Sequence, residues 1–464
     1  MRKIIFLSLF LFLITAGLGC KGLSADEQEA IKPITLDYWR VYDDSDSFAD
    51  IITAYNALHP NVTINYKKLR PEEFETELIN ALAEDRGPDM FSIQNTWITA
   101  YQSKILPMPA SVRVVSQHTE GTYQKKLVVD ISNVPTPTAK QIQDAYVGAV
   151  AADVIRPEIN AQGQSVKTIW GLPLAVDTLV LYYNKTMLDA AGIAEPPKNW
   201  EDFQKAVKSL SKISPENKIL QSGVALGTSK NVLRSADILA LLMMQNGTIM
   251  AGENNYPTFN LMPQEVKLPT TPAAQALQFY TDFANSTKEV YSWNAEMPES
   301  LDAFVRGQTA FFFGYAYHLP FIRARAPKLN FNIVSVPQVN SQAPVNFASY
   351  WVETVSKKTA HPNESWDFIL FSSKAENVVK YLEKVKKPTA LRALIAGQKE
   401  DPDLQAFASE ILTAKSWYLG KDTAKADAYF TGMIDDVFKP EALNDAGIYQ
   451  KAVNNAAVKV GQTM

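Results

Sequence analysis

A single cysteine, Cys20, in 464 residues excludes an internal disulfide and leaves no set of thiolates to ligate a metal. Histidine is scarce as well: His59, His118, His318 and His361 stand singly, with no pair at helical spacing to hold zinc. Lysine and arginine number 45 against 49 aspartates and glutamates, so the net charge of −4 offers no basic excess to attract nucleic acid. No P-loop, no Gly-X-Gly-X-X-Gly after a strand and no Gly-X-Ser-X-Gly elbow occurs. The chain therefore carries no cofactor motif, no metal motif and no serine-hydrolase motif.

What is present is apolar and aromatic. The 46% hydrophobic and 20% charged residues are ordinary for a globular protein, and 464 residues are too many for one typical core, so two or more are expected. With 8 Trp and 19 Tyr, some rings are left over for a binding surface. Residues 1–20 read as a targeting segment: Arg2 and Lys3, an apolar run from Ile4 to Ile14, then Ala16, Gly17 and Gly19 before Cys20. Cys20 resembles the lipidated cysteine of a bacterial lipoprotein, although Gly17 stands where that motif has Leu and Leu18 is displaced by one. The alternatives are an uncleaved signal anchor or ordinary secretion. Residues 21–33 read as a tether.

The mature chain begins with a β-α-β-α-β order: strands at Ile34–Trp39, Val62–Tyr66 and Met90–Ile93, with helices through Phe48–Leu58 and Phe74–Leu82. That order demands a parallel sheet with helical crossovers. Ligands of such sheets sit beyond the carboxyl ends of strands, where Asn95, Thr96 and Trp97 fall, with Trp39 and Tyr42 on the same rim. For each ring the alternative is core packing. Residues 111–167 read as an insertion, with a breaker at Pro135-Thr136-Pro137 and a helix from Ile142 to Ile155. Further helices are expected from Asn199-Trp200 to Ile213, over Ser235–Gln245, where Met243-Met244 is core filler, and over Ala424–Phe438. Strands are expected at Gln308–Gly314 and Asn330–Pro337.

The chain is organised around Trp170 to Leu188. Leu172 to Tyr183 is nearly unbroken apolar sequence, predicting a strand buried on both faces. Asp177 interrupts it, and an ionised carboxylate there needs partners or a cleft. Either the backbone passes a hinge here, or this is a core strand with Asp177 at a wet end. Gly-Leu-Pro-Leu-Ala-Val-Asp-Thr-Leu-Val-Leu-Tyr-Tyr-Asn-Lys resembles the first lobe crossover of extracellular solute-binding proteins of the maltose-binding type, the capture subunits of ABC sugar importers. Gly87-Pro88-Asp89-Met90 with Gln94–Trp97, Ser349–Val355 and Ser416-Trp417-Tyr418 resemble the family's cleft loop and its second and third crossings.

The resemblance implies an α/β, two-lobed periplasmic-binding-protein architecture (type II, maltose-binding-like), each lobe a mostly parallel sheet flanked by helices, with a hinge of two to three crossovers. Lobe 1 would comprise 34–175 plus 353–410, and lobe 2 176–352 plus 411–464. It places Tyr315 and Tyr317 at the sugar-stacking position of the second lobe, Trp351 and Trp417 at crossings, and Asp177 and Glu353 as acceptors of sugar hydroxyls. The implied function is non-catalytic capture of a carbohydrate, an oligosaccharide, by a monomer that a lipid anchor holds beside an ABC permease. Two alternatives stay open. A lipid-anchored glycoside hydrolase needs two carboxylates about 5–9 Å apart, for which Asp177 and Glu353 are the pair. A non-sugar solute such as a polyamine, metal chelate or phosphoester is the other, though few clustered charges on the expected rims argue against a strongly ionic ligand.

Overall fold

The computed structural model describes residues 23–464 apart from 124, 160–161, 265–266 and 443–444. The targeting segment and Cys20 lie outside the described residues, and the tether carries a short helix, Ala25–Ala30, closed by a Ser24–Glu27 capping box.

Strand Ile34–Val41 pairs in parallel register with Val62–Leu69 along its full length and with Met90–Gln94 on its other side. Parallel neighbours need crossovers, and the two helices supply them: Asp46–Leu58 buries Phe48, Ile51 and Tyr55, and Pro71–Ala83 buries Phe74, Leu78 and Leu82, each set on one helical face. Trp351–Ser356 closes the sheet antiparallel to Met90–Gln94, with Trp351 opposite Gln94, and Ile105–Leu106 forms the far edge.

In the second lobe the apolar run is explained by two-sided burial. Leu181 and Tyr183 enter one core with Phe203, Phe311 and Phe313; Val180 and Tyr182 enter another with Phe304 and Phe312. This sheet is mixed. Ile219–Val224 runs parallel to Thr309–Gly314, whereas Val180–Asn184 is antiparallel to both Thr309–Gly314 and Phe331–Val334. The expected continuous strand from Leu172 to Tyr183 is broken: Asp177–Thr178 and Val180–Asn184 are separate strands, and 170–176 is irregular around Pro173, which has no N–H for a ladder.

Between the lobes lies a small third sheet in which Asn346–Ser349 pairs with Asp177–Thr178 on one side and Ala414–Lys415 on the other. The chain thus crosses three times, side by side. Two expectations are corrected. The segment 111–167 contains a long hairpin, Ser111–Glu120 with Lys126–Pro135, and a second, Ile155–Ile159 with Ser165–Ile169; its helix is split into Ala139–Ala145 and Gly148–Val154. And Leu404 and Phe407, expected in lobe 1, pack with Tyr182 and Phe312 in the second lobe, because the chain returns there before its last crossing.

Candidate functional site

The carboxyl end of Ile34–Val41 brings a charge inside. Arg40 is 3% exposed and meets the Glu353 carboxylate at 2.9 Å and that of Asp43 at 3.4 Å. Lys387 donates to Asp43 at 2.6 Å, and the Tyr38 and Tyr381 hydroxyls donate to Glu353 at 2.5 Å and Asp43 at 2.7 Å. Two cations thus offset two buried carboxylates, as a desolvated set requires. Burial raises Glu353 above the ordinary carboxyl range against the pull of Arg40, whereas for Asp43 the opposing effect of Arg40 and Lys387 outweighs burial and lowers it.

One residue further on, Tyr42 turns outward with φ +68°, a conformation costly for a non-glycine residue. Its ring stacks on Tyr317 of the second lobe at 6.1 Å between centroids and meets the edge of Trp351 at 6.0 Å. Both tyrosines are about two-fifths exposed (45% and 40%), so they roof the space below rather than fill it. That space, some 650 Å³ and partly open to solvent, is lined by Arg40, Asp177, Arg234, Tyr350, Trp351 and Lys387 besides the two tyrosines. Arg234 is itself left-handed (φ +56°), and Lys387 follows Lys386, left-handed at φ +51°. Of the cleft-lining residues, Tyr42 and Arg234 thus hold the costly left-handed conformation themselves.

Asp177 opens the first hinge strand. Its carboxylate accepts the N–H of Ala316 at 3.0 Å and of Thr178 at 2.9 Å, joining the hinge to the loop that carries Tyr317. Burial pushes its pKa up to about 7, against these hydrogen bonds and the charge of Lys387.

A second compartment of about 470 Å³ adjoins the first, sharing Gln94, Arg234 and Ser349 with it. Asn95, Thr96, Asp237, Trp417, Tyr418 and Asp427 line it. Asn95 is 3% exposed; its amide donates to Asp153 at 2.9 Å, and Asp153 also receives the Tyr350 hydroxyl at 2.6 Å and that of Ser416. One buried carboxylate thereby ties lobe 1 to two of the crossings.

Seven of the sequence-expected residues line the space: Asp177, Tyr42, Tyr317 and Trp351 in the first compartment, Asn95, Thr96 and Trp417 in the second. Four do not. Trp39, one strand position before Arg40, packs in the first-lobe core under the ammonium of Lys67 at 4.2 Å. Trp97 stacks on Tyr101 at 5.7 Å and buttresses Trp351 edge-on. Tyr315 is wholly buried, donates to Asp237 at 2.6 Å and lies behind Tyr317 at 5.7 Å. Glu353 is committed to Arg40 and Tyr38. Strand alternation explains Trp39, which is one position from Arg40 and so faces the other side of the sheet; Trp97 lies in a 3-10 turn rather than a strand. Arg40, Arg234, Lys387, Asp237 and Asp427 were not expected at the site. Arg40 had a signal, a lone guanidinium inside an apolar strand; the others lie in helices or loops whose convergence no local pattern announces. Among the described residues no group of three or more His, Cys, Asp or Glu is placed to hold a metal ion.

Residues 42–379 match the family model described as bacterial extracellular solute-binding protein. A multiple sugar-binding protein of Streptococcus mutans is 22% identical over 268 residues, 57% of this chain and 61% of that protein, so the chain spans less than two thirds of that relative. The cyclic α-maltosyl-1,6-maltose binding protein of Arthrobacter globiformis superposes with a TM-score of 0.68 at 16% identity, covering 93% of this chain and 99% of that one. A sugar-binding protein of Xanthomonas citri gives 0.66 at 16%, covering 92% and 98%. At these identities the two structures speak for the fold, a maltose-binding-type arrangement of two lobes.

Proposed function

Because the chain belongs to the bacterial extracellular solute-binding protein family, we propose that it captures a carbohydrate between its lobes and, once closed, presents it to the membrane subunits of an ABC importer, with Cys20 as its lipid anchor. The observation that carries this reading is the ring-walled, polar-floored space under Tyr42 and Tyr317, built from both lobes and beside a three-strand hinge. The flat faces of sugar rings stack on such aromatics, and sugar hydroxyls need the donors and acceptors that Arg40, Asp177 and Arg234 present. Two joined compartments suit an oligosaccharide better than a single ring. The relative from Streptococcus mutans, named a multiple sugar-binding protein, supports the same ligand class.

The role is non-catalytic in this reading. Of the two carboxylates a glycosidase would use, only Asp177 lines the space, while Glu353 is held by Arg40. A thermal-shift screen of neutral and substituted glycans on residues 24–464 tests the proposal, since a ligand that binds only the folded state raises the melting temperature. Asp177→Ala and Tyr317→Ala should each weaken the binding of a hit about tenfold or more, roughly 1.4 kcal/mol, with the fold intact. Unchanged titration calorimetry for both variants would refute the placement of the ligand, and new reducing ends after long incubation would refute the non-catalytic role.

A further inference from the structure

The charges of the cleft do not balance. Its three lining cations are each taken: Arg40 by Glu353 at 2.9 Å, Lys387 by Asp43 at 2.6 Å and Arg234 by Asp237 at 2.7 Å. Two lining carboxylates are left without a cation. Asp177 has the backbone N–H groups of Thr178 and Ala316. Asp427, which is partly exposed, has no hydrogen-bond donor among the described residues; Asp237, Arg234 and Tyr418 act on it through space. It projects from the helix Thr423–Val437 into the second compartment, beside Trp417, Tyr418 and Phe430.

Two carboxylates crowded beside one guanidinium, Asp237 and Asp427 beside Arg234, leave the compartment short of one positive charge. Burial and the neighbouring Asp237 both raise the pKa of Asp427, with Arg234 opposing, which is the mark of a carboxylate short of positive charge. Two further atoms point to a ligand independently. Thr96 Oγ1 is buried and unpartnered in the same compartment, and Nη1 of the 3%-exposed Arg40 is unpartnered in the other. One end of the space therefore has a single cation, Arg234, for two carboxylates, Asp237 and Asp427, while the other holds an unpaired donor on Arg40.

We propose that the ligand is a glycan bearing a protonated amine, bound with its amine-carrying residue against Asp427 and Trp417 and its oxygen-rich end toward Arg40 beneath Tyr42 and Tyr317. This rests on the sugar-receptor reading and adds to it the charge of the ligand and its direction in the cleft. An ammonium supplies the missing charge at Asp427, and the Trp417 face beside it attracts a cation through the ring quadrupole. A neutral glycan offers Asp427 hydroxyl donors only, with no opposing charge.

The test is titration calorimetry on the full chain with oligosaccharides of several linkages, each in three matched forms: free amine, N-acetylated and hydroxyl. The expected result is that the free-amine form of the preferred linkage binds at least tenfold more tightly than its two neutral counterparts. Asp427→Asn should abolish that preference by weakening the free-amine form at least tenfold more than the neutral forms, and Asp427→Glu, which keeps the charge, should retain it. Equal or tighter binding of the neutral forms overturns the proposal and leaves the sugar-receptor reading standing. An equal loss for all three forms in Asp427→Asn also overturns it, since that marks a structural role. Binding of spermidine with no glycan bound in any form overturns both.

Discussion

Asp177→Asn isolates the most perturbed lining carboxyl whose partners are known. In the folded chain this carboxyl titrates at about 7 rather than 3.8. Between those values the folded state keeps a proton that the unfolded state has lost, so stability falls as pH rises, the reverse of a salt-bridged aspartate. The contribution is fully present below about pH 4 and is lost as pH climbs through about 7. The shift, 7 − 3.8 = 3.2, converts at about 1.36 kcal/mol per unit to ~4 kcal/mol across the window. Asparagine keeps an oxygen for the N–H groups of Ala316 and Thr178 but has no proton to lose, so its contribution is flat. Urea unfolding of the wild type and the variant, at matched pH values from about 4 to 8, measures the difference directly. Relative to wild type, Asp177→Asn should gain several kcal/mol from the acid to the alkaline end. Two stability curves that run parallel across the window would refute the assignment of this titration to Asp177. A saturating glycan that donates a hydroxyl to the carboxylate should favour the ionised form and flatten the wild-type slope as well.

Three other perturbations probe different layers. Tyr42→Ala and Tyr317→Ala should be non-additive in glycan affinity, with a coupling of about 0.5–1.5 kcal/mol from their stack; additive losses in a calorimetric double-mutant cycle would deny the roof its role. Arg40→Met leaves Asp43 and Glu353 buried with one cation between them, and should destabilise the protein by about 3–5 kcal/mol in urea unfolding; a loss under about 1 kcal/mol would mean the cluster is not held by charge. Gly171→Ala would set a Cβ 2.5 Å from Val352 Cγ1 and 2.6 Å from the Glu353 carbonyl oxygen, where two crossings touch. It should cost about 1–3 kcal/mol, read from the urea midpoint at constant m.

The β-α-β-α-β start of lobe 1 was legible because each strand and helix carried its own period, and Phe48, Ile51 and Tyr55 could only be one buried face. The long hairpin at 111–135 was not, since Ser111–Glu120 and Lys126–Pro135 are largely solvent-facing and lack the apolar alternation of a half-buried strand. At the candidate site, sequence reasoning named Asp177 and four of the seven rings it singled out, and missed the other charged residues. Tyr42, Tyr317 and Trp351 follow strands, where a cleft is expected. Arg234, Asp237 and Asp427 come from two helices nearly two hundred residues apart, and only folding makes them one cluster. That is why an ionic component of the ligand was read as disfavoured. Tyr315 fails for a simpler reason: in Tyr315-Ala316-Tyr317 the first ring continues the buried strand and only the third clears it.

How far the cleft closes without a ligand follows from how little else spans it. On the cavity side, among the described residues, the lobes touch through the Tyr42–Tyr317 stack, the Thr99 hydroxyl on the Leu419 carbonyl at 2.8 Å and the Thr423 hydroxyl on the Thr96 carbonyl at 3.3 Å. An aromatic pair and two neutral hydrogen bonds contribute about 0.5–1.5 kcal/mol each. Together these amount to a few kcal/mol, short of the roughly 5.5 kcal/mol that carries a two-state equilibrium from 1:99 to 99:1. The three hinge strands do not make up the difference, because they run through both lobes whichever way the cleft stands. On the proposed placement, a ligand held by Arg40 and Trp351 from one side and by Asp177, Tyr317 and Arg234 from the other would gain one set of these contacts only when the cleft is shut. Micromolar binding corresponds to about 8 kcal/mol, and if a good part of that arises from contacts absent in the open form, it exceeds what the lobes lack. Closure then reports occupancy, since a solute that touched one lobe alone would bind both forms equally and shift nothing.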